Sequence, residues 1–276
     1  MSFQYDGDPG DRHHRFYQDG TGSHAARHAF LAVMLAVSVF FLVLSLSARQ
    51  ATQPGTGQHV IQSGIASLTD IDRLFAEDGD ALRRLAENTD TGAFAIPGYP
   101  LDIPVTREEA ATLTNDQLRD LVLSRSSAVV YTQGLSAFDR TGSASISRFS
   151  SQGALKTMVG ELSESTNHKA TIATLFFAVL VAIFAVALLA ANTGWSRLRS
   201  VGLATLLGAV PGLIIFAFAW FVASRIGGSD PFVQDIRSIA RSVLFVPVRN
   251  FLVVSILGTF ITLLSVVLGV VSGRLE

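Results

Sequence analysis

The chain has no cysteine among its 276 residues. This absence excludes disulfides, thiolate metal ligands, cysteine nucleophiles and cysteine-linked lipids, so packing alone must hold any polar domain together. Charged residues are also scarce, at 16% of the sequence, whereas hydrophobic residues make up 49%. The formal net charge of −1 gives no overall field that would attract nucleic acid. This balance is typical of a membrane protein with one polar insertion.

Four long apolar runs contain no ionisable residue. Each has about 20 residues or more, which as a helix spans about 30 Å of hydrocarbon. The runs are Ala29–Ala48, Ala170–Ala191, Val201–Ala223 and Phe251–Val271. Ion paths and proton relays in membranes are usually marked by buried charged residues, so these runs predict helices that anchor and pack. We therefore predict an all-α protein with a four-transmembrane-helix bundle embedded in the lipid bilayer.

The polar segments around these runs complete the predicted organisation. Residues 1–28, rich in Gly, Asp and His, are predicted to be a disordered tail. The first run is longer than the apolar core of a signal peptide, which favours an uncleaved anchor over a cleaved leader. Residues 49–169 are the one long polar segment, and we predict that they form a helical domain between the first and second spans.

Local patterns predict the elements of this polar domain. Apolar residues recur every three or four positions from Ile61 to Phe75, which predicts a helix. Gly79 is expected to break it, after which Asp80 caps the next helix. Residues 89–105 contain three prolines and two glycines, which predicts an irregular loop.

Two capping boxes mark later helices. Thr106 and Thr114 are each followed three residues later by Glu or Gln, the spacing that satisfies orphan amides at a helix start. The second of these helices is expected to end near Gly134 or Phe138. A last helix over residues 155–162 can run unbroken into the second span, because no proline intervenes.

The loop before the fourth span contains an amphipathic segment. Pro231 after a serine and an aspartate is a strong helix start, and apolar and polar residues separate onto two faces over residues 230–245. The apolar face includes Phe232, Ile236, Ile239 and Val243. We predict a short helix lying in the membrane interface, ended by Pro247 before the fourth span.

Two features inside the spans have a functional and a structural interpretation. Pro211 and Gly212 lie near the middle of the third span, where they could form a hinge, although an ordinary packed kink is favoured. Small and hydroxylated residues recur at helical spacing along the fourth span. They are Ser255, Gly258, Thr259, Thr262, Ser265 and Gly269. This stripe predicts a helix-packing face, whereas a hydroxyl-lined pore would need similar stripes on other helices.

Arginine counts predict the orientation. Short cytoplasmic loops are enriched in arginine, and placing the N-terminus inside leaves six arginines of the tails and short loops in the cytoplasm and four outside. We therefore predict a cell-membrane protein with both termini cytoplasmic and the domain of residues 49–169 outside the cytoplasm.

These features favour a non-enzymatic protein that acts as an extracytoplasmic interaction, scaffold or sensing protein. A protein partner is expected on the outer domain or on the fourth-span face, and no nucleic-acid partner is expected. No cofactor, metal or catalytic residue is predicted, since the sequence has no phosphate-binding glycine loop, nucleophile elbow or zinc motif. The histidines of residues 13–28 are interpreted as part of a solvated tail.

The alternative function is a transporter or permease-complex subunit. One span, a large polar domain and three further spans resemble the arrangement of the cell-division and export permeases that pair with cytoplasmic ATPases. In those permeases a cytoplasmic coupling helix follows the second span. Here that connection, Asn192–Ser200, has nine residues, and the amphipathic segment follows the third span instead.

Overall fold

A computed structural model describes residues 10–69, 71–88, 92–97, 99–137, 161–227 and 231–272. The predicted helix over residues 155–162 lies almost wholly outside these ranges. The elements in chain order are α1 (Gly10–Ala51), α2 (Pro54–Thr69), α3 (Ile71–Glu87), β1 (Ala93–Ala95), β2 (Pro104–Thr106), α4 (Arg107–Thr112), α5 (Asn115–Gln133), α6 (Glu164–Ala191), α7 (Ser196–Arg225) and α8 (Pro231–Ser272). A 3₁₀ turn at Gly134–Ala137 follows α5.

Four of the described helices contain segments long and apolar enough to cross a membrane. These segments are Ala25–Ala51, Glu164–Ala191, Ser196–Arg225 and Ile236–Ser272. The prediction of an all-helical protein with four candidate membrane spans is therefore confirmed, and the architecture indicates a multi-pass membrane protein.

Two of the long helices extend further than the sequence predicts. Helix α1 begins at Gly10, so the prediction of a disordered tail is wrong from that residue onward. Once the apolar run has nucleated a helix, each further residue costs little to add. Helix α8 continues through Pro247, so the prediction that this proline ends the amphipathic helix is also wrong. Proline is tolerated inside membrane helices because neighbouring groups satisfy the freed backbone carbonyl.

The described chain divides by its internal contacts into two compact units. We name them the bundle unit, which comprises described residues 10–43, 175–212 and 251–272, and the domain unit, which comprises described residues from 44 to 174 and from 213 to 250.

The bundle unit is packed through small residues. A Cβ atom at Gly208 would overlap the carbonyl oxygen of Ala36, and the Cβ position at Gly258 lies 3.2 Å from the carbonyl oxygen of Gly202. Such approaches bring helix backbones close, as is typical of membrane helices. The largest fully buried side chain is Phe251, whose ring centroid lies 5.5 Å from that of Phe40.

The domain unit has an aliphatic core formed mainly by α2, α3 and α5. Its largest fully buried side chains come from these helices, from β2 and from the segment that precedes β2, and they include Ile61, Ile65, Ile71, Leu101, Ile103, Val105, Val122 and Leu123. Burial of each such side chain contributes about 1.5–3 kcal/mol. This core is the packing that a domain without disulfides requires.

Both predicted capping boxes are confirmed. Thr106 Oγ1 accepts from the Glu109 amide at 3.2 Å, and the Glu109 carboxylate accepts from the Thr106 amide at 2.9 Å. Thr114 and Gln117 make the same reciprocal pair at 3.3 and 3.0 Å. Helix α5 ends at Gln133, and the next residue, Gly134, has a φ of 63°, a value that favours glycine. The predicted end near Gly134 is therefore also confirmed.

The predicted break at Gly79 is wrong. Helix α3 continues through it, and Asp80 is therefore not a helix cap. Gly79 is buried, and a Cβ atom there would lie 2.9 Å from Cγ of Asn115. The Asn115 side-chain amide in turn donates to the Phe75 carbonyl at 3.3 Å. The glycine thus permits the start of α5 to approach α3, which outweighs its low helix propensity.

Two further expectations are corrected. The segment predicted as an irregular loop contains β1 and β2, which pair antiparallel with Phe94 opposite Val105. Val105 is fully buried, so burial of this residue favours the extended pairing.

The expectation of an unbroken helix into the second span also fails, since Leu162 and Ser163 form a turn and a bend before α6. The Ser163 hydroxyl lies 3.3 Å from that of Thr166, a local bond that competes with helix continuation.

Candidate functional site

A cluster of hydrogen bonds lies within the domain unit where α1 ends and where α6 and the apolar part of α8 begin. We call Ser47, Gln50, Thr52, Tyr131, Asn167 and Asn250 the junction cluster. Helix α1 ends at Ala51, directly before Thr52, and Asn167 and Asn250 each come shortly before a predicted apolar run. The polar groups therefore stand at the ends of apolar segments, where such side chains still find polar partners.

Thr52 is the centre of the junction cluster. Its hydroxyl donates to the Ala48 carbonyl at 2.8 Å and accepts from the Asn167 amide at 3.1 Å. The same amide donates to the Arg49 carbonyl at 3.1 Å. The carbonyl of Thr52 accepts from the Tyr131 hydroxyl at 3.0 Å. Through this one residue, α5 of the domain core is bonded to the end of α1 and the start of α6.

The second half of the junction cluster joins α1 to α8. The Asn250 side-chain amide donates to Ser47 Oγ at 3.0 Å and to Gln50 Oε1 at 2.9 Å. The Arg249 guanidinium donates to the same Gln50 oxygen at 3.3 Å. Since Asn250 lies three residues after Pro247, the bonds hold the chain next to the proline.

The chemistry of the junction cluster is that of neutral donors and acceptors. Tyr131 is buried, and that burial raises the pKa of its hydroxyl above the ordinary value, with Glu164 adding to the rise. The phenol therefore stays protonated and donates to Thr52 at physiological pH. Amides and hydroxyls bonded in this way hold the ends of helices in place through neutral hydrogen bonds.

A second buried polar contact lies inside the domain core. The Tyr99 hydroxyl and Ser126 Oγ are 2.8 Å apart, and burial raises the pKa of Tyr99 to about 12. Tyr99 also borders a half-open cavity of about 280 Å³, together with Leu101, Asp102 and Gln133. This volume is slightly below the range typical of small-molecule pockets, so the cavity suits at most a small ligand or part of a partner's side chain.

The charged residues near the core are occupied by structural bonds. Arg125 donates to the Glu109 carboxylate, with one contact at 3.0 Å, and to the Pro104 carbonyl at 2.8 Å. The hydrogen bond from Arg125 lowers the pKa of Glu109 to about 2. Arg119 pairs with Asp72, and that hydrogen bond raises the pKa of Arg119. These pairs join α4 to α5 and α3 to α5.

Metal-ligating side chains do not gather in the described part of the chain. Among those residues, no group of three or more His, Asp or Glu side chains is placed to hold a metal ion. The side chains of His13, His14 and His24 fall outside the described set.

The stripe of the fourth span divides in the structure. Gly258 lies against Gly202 and Leu206, and Ser255 and Ser265 are buried. Thr259 is exposed and lies off that face. The hydroxyls of Thr259, Thr262 and Ser265 each donate to a carbonyl three or four residues earlier in their own helix. Among the described contacts, the stripe of the fourth span is therefore a surface where helix backbones approach closely. These three hydroxyls bond within their own helix and do not line a pore.

The remaining predicted site residues are placed as follows. Pro211 lies inside α7, which continues to Arg225. A Cβ atom at Gly212 would overlap the Phe251 ring, so the glycine makes room for the largest buried side chain of the bundle unit. This contact suits a packed kink.

The apolar face of the amphipathic helix is covered by protein. Ile239 is buried in the core of the domain unit, and Ile236 and Val243 pack against it. The Phe232 side chain lies outside the described residues. The prediction of a short helix lying in the membrane interface is therefore corrected: this segment is the first part of α8, and its apolar face completes the domain core.

Sequence patterns alone did not identify the junction cluster. Its members are separated by up to 203 positions in the chain, and a lone Asn beside an apolar run has many uses. The sequence signal is their shared position, because Asn167 and Asn250 lie within three residues before an apolar run and Thr52 lies four residues after one.

Comparison of the chain with protein-family models, curated proteins and solved structures found no match. The residues of the chain itself must therefore carry any functional inference.

Proposed function

We propose that this protein is a non-enzymatic, multi-pass protein of the cell membrane that acts as an extracytoplasmic interaction, scaffold or sensing protein. A protein partner or ligand binds the domain unit, and the junction cluster transmits the bound state to the membrane helices. The observation that carries the proposal is the bond from Tyr131 to Thr52. It connects a helix of the domain core to the end of the first span, at a residue that also bonds the start of the second.

The number of candidate spans supports placing the domain and the α7–α8 connection on the same side of the membrane. If all four apolar helices cross the bilayer, the first and third connections lie on the same side and both termini lie on the other. The burial of Ile239 in the domain core is consistent with this arrangement. The arginine bias supports cytoplasmic termini.

The bonding of the charged residues supports a non-enzymatic role. Arg125 holds Glu109 in its ionised form. The lowered pKa makes this carboxylate a poor proton donor or acceptor near neutral pH. Arg119 and Asp72 are committed to one another. The buried tyrosines keep their protons, because burial raises the pKa of both.

Single-cysteine labelling tests the sidedness of this proposal, since the chain has no native cysteine. Glu87→Cys marks the domain unit and Thr193→Cys marks the connection between α6 and α7, and both positions are exposed. We expect a membrane-impermeant maleimide to label Glu87→Cys in intact cells and Thr193→Cys only after permeabilisation. The reverse pattern would place the domain in the cytoplasm and contradict the proposal.

Site-specific photocrosslinking in native membranes tests the interaction itself. A photoreactive residue replaces exposed Glu87 or exposed Asp116 on the domain unit, and Leu207, 65% exposed on the third span within the bundle unit, serves as a lipid-facing control. We expect a discrete protein adduct from the domain positions and not from the control. No adduct at either domain position would contradict the proposal. A third photoreactive variant at exposed Thr193 tests the alternative, because capture of a cytoplasmic ATPase there would identify the protein as a permease-complex subunit.

A further inference from the structure

A groove in the domain unit lies between the end of α7 and the polar face of the first part of α8. Its volume is about 460 Å³, and its described lining consists of Trp220, Gln234, Arg237, Ser238, Arg241, Ser242 and Phe245. Two arginines and three neutral hydrogen-bonding side chains thus share one surface, and no carboxylate is present in that described lining. Such a surface has a positive charge that nothing in its described walls neutralises.

The arginines are arranged for a ligand with several acceptor oxygens. Arg237 and Arg241 are four residues apart, as are Ser238 and Ser242, so each pair lies on one side of the helix. The Arg237 guanidinium donates from Nη2 to the Ile226 carbonyl, which holds the side chain in place. Its Nε is buried and has no hydrogen-bond partner in the described structure. A buried donor without a partner is costly, so a ligand oxygen that reached this donor would stabilise the bound state.

The position of Trp220 in the chain predicts that the groove lies at the edge of the membrane. It lies within the third apolar run, three residues before the end of that run at Ala223, and tryptophan is enriched at the level of lipid headgroups. The Arg241 guanidinium carbon lies 5.5 Å from the centre of the Trp220 ring. Phe245 adds an apolar side chain that is 51% exposed at the groove.

We propose that this groove binds the phosphate group of an anionic phospholipid headgroup. Arg237 and Arg241 supply charge and paired donors, Ser238, Ser242 and Gln234 supply further hydrogen bonds, and Phe245 contacts the upper acyl chain. Basic pockets beside membrane helices are suited to anionic lipids, and each arginine near the surface favours them by about five-fold. The inference is independent of the proposed partner interaction, because it holds whichever side of the membrane the domain occupies.

Trp220 also provides the reporter for the test. The chain has two tryptophans, so a Trp195→Phe background leaves Trp220 as the single fluorophore. The full-length protein is reconstituted in vesicles of brominated phosphatidylglycerol mixed with phosphatidylcholine, and in the converse mixture, and bromine quenching gives the relative binding of the two lipids. We expect phosphatidylglycerol to be favoured by roughly ten-fold or more, given about five-fold for each of two arginines.

Matched variants separate the groove from general surface charge. Arg237→Gln/Arg241→Gln removes two charges from the groove, and Arg199→Gln/Arg225→Gln removes two from the ends of α7 outside it. We expect the first pair to lose the preference and the second to keep it within about two-fold. The variant Arg237→Lys/Arg241→Lys retains both positive charges, so we expect it to keep an intermediate preference for phosphatidylglycerol. This variant still tests the proposal if the glutamine variant fails to fold.

Three results would overturn the proposal. The first is that the Trp195→Phe protein shows no preference for phosphatidylglycerol over phosphatidylcholine. The second is that both pairs of glutamine substitutions lose this preference equally. The third is displacement of the brominated lipid by millimolar glycerol phosphate, which would identify a soluble phosphate compound, and not a lipid headgroup, as the ligand.

Discussion

The bundle unit and the domain unit differ in the residues that bring their helices together. In the bundle unit, Gly208 and Gly258 bring helix backbones together, and the apolar spans carry no charge. In the domain unit, branched aliphatic side chains fill the core, and capping boxes and arginine–carboxylate pairs fix the helices. The difference follows from the solvent. Lipid gives no hydrophobic reward for burying a large side chain, whereas water does.

The largest expected effect tests the aliphatic core. Ile65 is fully buried in the domain unit, so Ile65→Ala leaves a cavity and is expected to cost about 3–4 kcal/mol of unfolding free energy. Ile183 lies in the second span, within the bundle unit, and is 54% exposed, so Ile183→Ala is expected to cost less than about 0.5 kcal/mol. Thermal unfolding of the full chain in detergent measures both. Equal costs would mean that the two units do not differ in this way.

The next largest effect is expected in the bundle unit, from a substitution at a closely packed glycine. Gly208→Ala places a methyl group against the Ala36 backbone carbonyl, which cannot rotate away, and is expected to cost about 2 kcal/mol. Gly55, in α2 of the domain unit, has nothing within 4 Å of the Cβ position. Gly55→Ala is therefore expected to be neutral or to stabilise by about 0.5 kcal/mol. The same unfolding assay reports both, and a tolerated Gly208→Ala would show that close backbone approach is not required in the bundle unit.

The sequence predicted those parts of the fold that depend on local rules. The four apolar runs, both capping boxes and the end of α5 before Gly134 each depend on residues that are close together in the sequence. The sequence-based prediction failed where a contact with a residue distant in the chain determines the local structure. Gly79 remains helical because Asn115 packs against it, and the strand at Val105 forms because that side chain is buried in a core assembled from remote helices.

The functional features depended even more on distant contacts. Asn250 finds its partners some 200 positions away in α1, and no local pattern encodes such a pairing. The amphipathic pattern of residues 230–245 was visible, but it did not reveal what covers the apolar face. A lipid interface and the core of a protein domain select the same periodicity, and the structure shows protein contacts at Ile239.

A smaller effect concerns pH and the arginine–carboxylate pairs. The pKa of Glu109 is lowered from 4.5 to about 2, so its contribution is present above pH 4.5 and is lost as the pH falls towards 2. The carboxylate remains partly exposed, so we expect Glu109→Gln to cost about 1 kcal/mol at pH 7. That cost should diminish as the pH is lowered below 4.5.

Glu77→Gln is the matched control for this titration. Glu77 is 67% exposed and lies 3.7 Å from Arg73, so its loss is expected to change stability by less than about 0.5 kcal/mol at either pH. Unfolding at pH 7 and at pH 3 compares the two variants. A pH-independent cost of Glu109→Gln would refute the assigned ion pair.

The most direct test of the central claim compares two buried tyrosines by hydrogen exchange. Tyr131→Phe removes the bond to Thr52, whereas Tyr99→Phe removes a bond to Ser126 within the same core. One lost hydrogen bond is worth about 1 kcal/mol, or about five-fold in local opening. We predict that Tyr131→Phe raises exchange about five-fold in residues 47–52 and also at the start of α6 around Asn167, while Tyr99→Phe leaves both segments unchanged. If both variants changed these segments equally, or if neither did, the junction cluster would not connect the domain core to the membrane helices.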